Sequence, residues 1–168
     1  MITEIDSLIS VMAMHPRIEL FPVEDLFNTS FVDDPDLIAF YSVCGGATMF
    51  DVVDGENWLR WQIVGPHELN CLSDTHNSYE IPIEVIEESE AINFRRLVKC
   101  GEICDIAIST AGDMKGCCIL TESGMLIPPM RVKRIATSFT QLLARLIYRD
   151  LESFTEGGDY ICLMKASS

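Results

Sequence analysis

The sequence predicts a single α+β domain, with a mainly antiparallel sheet, helices packed on one of its faces, and amphipathic helices near both ends. Three observations predict it. A chain of 168 residues is about the size at which one hydrophobic core forms. Its apolar periodicity is helical near each end and extended in between. The elements follow in the order helix, hairpin, meander, helix, which suits one sheet covered by helices. With 48% of residues apolar and 23% charged, the chain has ample material for a core and the balance of neither a disordered chain nor a coiled coil.

Ile2, Ile5, Leu8, Ile9 and Met12 fall on one face at helical spacing, with Glu4 and Asp6 near the positive end of the dipole. His15-Pro16 ends this helix, and an irregular stretch runs from Phe21-Pro22 to Asp33-Asp34-Pro35-Asp36. There Asp34 can cap a second helix and Pro35 suits its first turn, where a missing N–H costs nothing. Leu37, Ile38, Phe40, Tyr41 and Val43 supply its buried side until Gly45-Gly46 stops it.

The period then becomes extended. Met49 to Val53, the dipeptide Asp54-Gly55 and the run Trp58 to Val64 predict a hairpin, with Leu59, Trp61 and Ile63 sharing one face. Gly65-Pro66 ends it, and the acidic run Glu84, Glu87, Glu88 and Glu90 suggests a short helix. Cys104, Ile106 and Ile108 mark a strand; Cys117, Ile119 and Thr121 mark the next, after the loop Gly112 to Gly116; a third centres on Leu126. After Pro128-Pro129, Ile135, Phe139, Leu142, Leu143, Leu146 and Ile147 mark the most regular helix, with Arg145 and Arg149 toward its C-terminal end. Tyr160 to Lys165 suits a small terminal strand.

Charge is the most informative global property. The formal net charge is -14, and it is unevenly spread: Met1 to Glu90 holds 18 acids and two bases, whereas Ala91 to Ser168 holds 8 acids and 10 bases. Such a surface repels nucleic acid and anionic lipid, since binding phosphate requires Lys and Arg to displace counterions. Direct nucleic-acid and membrane partners are therefore not expected. A basic protein partner is, with electrostatic steering speeding its association. The uncharged stretch Leu37 to Phe50 is too short to span a bilayer, and the acidic opening is unlike a secretory leader, so a cytoplasmic location is expected.

Motifs for catalysis are sparse. GxGxxG, P-loop, GxSxG and HExxH patterns are missing from the chain. Its seven cysteines, an odd number, read as reduced thiols. His67 with Cys71 and Cys100 with Cys104 have the helical spacing of zinc ligands. However, Gly101 interrupts the second pair and a strand starts beside it, so small buried apolar residues are the better account and no cofactor is expected. The basic cluster Arg131, Lys133 and Arg134 is expected to pair with the acidic first part. Trp61 belongs with the core face of its strand, while Trp58 lies on the opposite face near the hairpin tip, where it suits an anchor for a protein partner.

Three segments resemble the SUKH superfamily, which contains bacterial immunity proteins against polymorphic toxins and fungal regulators of glucan synthesis. They are "LIAFYSVCGGATMFD" (37–51), "ICDIAISTAGDMKGCCIL" (103–120) and "RIATSFTQLLARL" (134–146). The resemblance covers 35–146 of one domain spanning 1–168, and leaves 151–168 as a C-terminal extension. It implies a non-enzymatic binding domain that acts by occupying a partner's surface. A nuclease toxin must present Lys and Arg to a phosphate backbone, so an acidic face can cover that site and repel its substrate. Asp51, Asp54, Glu56, Trp58, Glu84, Glu87, Glu88 and Glu90 are the expected partner-binding residues. An intracellular scaffold of the glucan-synthesis type and, with less support, a small hydrolase using acid pairs or a Cys/His pair are the alternatives.

Overall fold

The computed structural model describes residues 3–26, 33–49, 61–69, 93–100, 104–122 and 133–148. Helix α1 (Glu4–Met14) begins at a reciprocal cap: Asp6 N–H donates to Thr3 Oγ1, and Asp6 Oδ2 accepts from Thr3 N–H at 3.0 Å. Ile5, Leu8, Ile9 and Met12 are its buried stripe, as the spacing predicts. Helix α2 (Pro35–Tyr41) starts at Asp34, whose Oδ1 accepts from the backbone of Asp36 and Leu37, with Pro35 in the first turn. Helix α3 (Phe139–Ile147) starts at Ser138, whose hydroxyl accepts from Gln141 N–H; Gln141 Oε1 reaches back to Thr137 N–H at 2.7 Å.

Among the described residues, seven strands form one sheet in sequence order, every neighbouring pair antiparallel. They are β1 (Ile18–Leu20), β2 (Ala47–Met49), β3 (Trp61–Ile63), β4 (Phe94–Cys100), β5 (Cys104–Ser109), β6 (Cys118–Glu122) and β7 (Lys133–Ala136). Pairing aligns Ala47, Ile63, Val98, Ile106 and Leu120 in one row across the sheet. All five are buried with Leu8, Met12, Phe40, Phe139 and Leu142 in the core, which places the helices on that face. The three helices form one layer, α1 touching both α2 and α3. Phe40 locks α2 to α3, its ring edge-on to Phe139 with centroids 5.2 Å apart. By the period of two, Thr48, Asp105, Ala107 and Ile119 fall on the other face, and they are buried too.

Several expectations are corrected. Helix α2 ends at Tyr41, short of the glycines, and Ile38 and Val43 are exposed. The chain leaves the helix there because Gly45 and Gly46 are held against other backbone: Gly46 has φ 122° and Gly45 N–H donates to Phe21 O at 2.9 Å. Strands β1, β4 and β7 do not follow from the sequence pattern. Strand β1 has three residues, too few for a period to register. In β4 the register shifts between Arg96 and Val98, a bulge that breaks the alternation. Ile135 stands four residues before Phe139 and so mimics a helical position, yet it belongs to β7.

Of the expected hairpin, the described ends pair antiparallel as β2 and β3, and the strand, glycine loop and strand from Cys104 to Glu122 are present as β5 and β6. The Asp54-Gly55 turn, the acidic run, the strand at Leu126 and the segment after Asp150 lie outside the described residues. Among those described, no helix is long and apolar enough to cross a membrane.

Candidate functional site

The eight residues expected to bind a partner, Asp51, Asp54, Glu56, Trp58, Glu84, Glu87, Glu88 and Glu90, all lie outside the described residues. What the structure does place is the pair of strands on either side of 50–60 in the sequence. Strands β2 and β3, which flank the segment holding Asp51 to Trp58, are paired antiparallel with Met49 opposite Trp61. Trp61 is 6% exposed, in the core as its alternation with Ile63 predicts.

A polar groove of about 510 Å³ lies where the N-terminal turns of the three helices converge. Thr3 and Glu4 of α1, Asp36 of α2, and Ser138, Thr140 and Gln141 of α3 line it. Thr140 Oγ1 donates to Asp36 Oδ2 at 2.5 Å and so ties α3 to α2 across it. Asp6, on the same turn as Glu4, has its carboxyl held below the usual range, first by the Thr3 hydroxyl and then by the Thr3 backbone N–H. Helix dipoles favour anions at such ends, so acids can concentrate here at low cost. Asp33 extends this end, bonded to Lys115 of the β5–β6 loop at 3.0 Å. Sequence reasoning finds Glu4, Asp6 and Asp34 as helix-start residues. It misses their convergence, because the packing of α1 on both other helices is set by long-range contacts.

A second polar cluster surrounds the end of β3. Tyr41 Oη donates to Val64 O at 2.8 Å from a fully buried ring, and burial raises the tyrosine pKa well above its ordinary value. His67 Nε2 is 2.7 Å from Asp25 O and 3.9 Å from Glu24 Oε2. Glu68 pairs with Lys99 of β4 at 3.2 Å. Like Asp33–Lys115, this is an exposed contact between an acid of the first part and a base of the second, worth under about 1 kcal/mol. The bases are Lys99 and Lys115; of the 131–134 cluster, Lys133 and Arg134 lie on β7.

Cys44 and Cys118 are buried, and that burial raises both thiol pKa values, which opposes thiolate formation at neutral pH. Cys44, just past the end of α2, donates from Sγ to Phe40 O of that helix. Among the described residues no three His, Cys, Asp or Glu side chains are grouped as a metal site. Carboxylates and hydroxyls dominate the groove, and their oxygens can accept hydrogen bonds from ammonium or guanidinium groups. The chain matches no protein-family model, no curated protein and no solved structure.

Proposed function

We propose that this chain is a non-enzymatic immunity protein that neutralises a basic, nuclease-type toxin domain by covering its active site with an acidic face. One observation carries the reading: 18 acids against two bases through Glu90. A field of that sign draws a nucleic-acid-binding surface toward it and repels competing phosphate. The α+β sheet and helix layer suit the domain that the three SUKH-like segments imply, and among the described residues the groove at the helix ends gathers the carboxylates of Glu4 and Asp36. In this proposal Asp51, Asp54, Glu56, Trp58, Glu84, Glu87, Glu88 and Glu90 make the interface. Cytoplasmic residence belongs to the same reading, since an immunity protein acts where its producer's own substrates are exposed.

The test is kinetic. Reversing Glu84, Glu87 and Glu88 together to Lys should slow association with the toxin domain at least about tenfold at low salt, with a smaller effect as screening rises. Association rates that are unchanged at low salt contradict this placement of the interface.

A further inference from the structure

Cys100 ends β4 and Cys104 begins β5, and the two are Cα partners in the antiparallel ladder. Their sequence separation matches one helical turn, but the chain sets them across from each other on paired strands, joined by residues 101–103. Directly opposed antiparallel residues hold their Cα atoms about 4.5 to 5.5 Å apart, whichever hydrogen-bonding class the pair belongs to, and disulfides span about 4.4 to 6.8 Å. The neighbouring strands hold this pair in place, since Trp61 of β3 is opposite Cys100 and Glu122 of β6 is opposite Cys104.

We propose that Cys100 and Cys104 form a thiol–disulfide exchange site, oxidised by low-molecular-weight disulfides such as glutathione disulfide, that joins the end of β4 to the start of β5. The exchange takes two steps. One cysteine loses its proton, and its thiolate attacks a sulfur of glutathione disulfide, forming a mixed disulfide and releasing one glutathione. The second cysteine then loses its proton and attacks the protein-side sulfur, which forms the Cys100–Cys104 bond and releases the second glutathione. Two protein thiols are oxidised while one glutathione disulfide is reduced to two thiols. The ladder register makes the second step intramolecular, with a partner already in place. The buried thiols Cys44 and Cys118 are poor competitors for the first step.

The folded full-length protein is incubated with glutathione disulfide, its remaining thiols are alkylated, and it is digested with trypsin for mass spectrometry. Cleavage after Lys99 and Lys115 releases peptide 100–115, which contains these two cysteines and no other. The expected product is that peptide unalkylated, two hydrogens lighter than its dithiol and restored by dithiothreitol. Cutting that tryptic peptide further after Glu102 should leave its halves joined until reduction. Oxidation should also be faster in the native protein than in urea. Alkylation of both cysteines, a separate glutathione on each, a bond from either to another cysteine or a second copy, or faster closure in urea overturns the proposal.

Discussion

Arg96 Nε lies 2.9 Å from Asp105 Oδ2, an ion pair between β4 and β5 on the sheet face away from the helices. The Asp105 side chain is 3% exposed and that of Arg96 18%. Taking both charges out of water is expensive, so the pair is not a net source of large stability. Removing one partner is different, because it strands the other. Asp105→Ala should lower unfolding stability by about 3 kcal/mol, read as a shift in the urea midpoint, whereas the double change Arg96→Met with Asp105→Leu should cost clearly less. A double variant at least as unstable as Asp105→Ala would show that something other than charge pairing fixes these positions.

Asp34 caps α2 through two backbone N–H groups, at 2.9 and 3.1 Å. Asp34→Ala should cost about 1 kcal/mol and Asp34→Asn only a fraction of that, since either side chain can accept. Thermal unfolding of the two variants side by side checks the order.

Tyr41, Cys44 and Cys118 are each held neutral by burial, with pKa values raised from ordinary values of 10.0, 9.0 and 9.0. In the unfolded chain these groups lose protons as pH passes those values, while the folded chain keeps them. Stability is therefore full below about pH 9 and falls as pH rises further, because the unfolded state then binds fewer protons. Urea midpoints from pH 8 to pH 10.5 should show that decline. Tyr41→Phe should weaken its Tyr41 part at a cost near 1 to 2 kcal/mol at neutral pH, from the unsatisfied Val64 carbonyl.

Gly46 takes φ 122°, and a Cβ there would meet Ile63 O at 2.6 Å. Both effects oppose any side chain. Gly46→Ala should cost about 2 kcal/mol or more, since the carbonyl it strikes belongs to β3 and cannot swing aside. Equilibrium denaturation measures it directly.

The parts legible in sequence are those written in local signals. Glu4 and Asp6 announce the start of α1 through their place at the positive end of the dipole, Asp34 with Pro35 announces α2 through capping chemistry, and Phe139 to Ile147 declares its buried stripe by spacing alone. Strand β5 shows through its alternation of Ile106 and Ile108 with smaller residues. What escapes is set by distant partners. Lys133 to Ala136 becomes a strand because β6 offers it an edge, and Phe94 to Cys100 hides its period behind a bulge. The groove of Glu4, Asp36 and Thr140 escapes for the same reason, since three sequence-distant helix starts meet there. Acidity, by contrast, is fully legible, because charge is a count and requires no fold.

The most direct measurement is affinity capture of the tagged protein from its own source at low and moderate salt, followed by assay of the captured protein's nuclease activity as more of this chain is added. The immunity account predicts a basic toxin domain, identified by mass spectrometry, that binds more weakly at moderate salt and loses activity at one-to-one stoichiometry. Capture of only cell-wall or signalling proteins, or a nuclease whose activity is untouched, contradicts it.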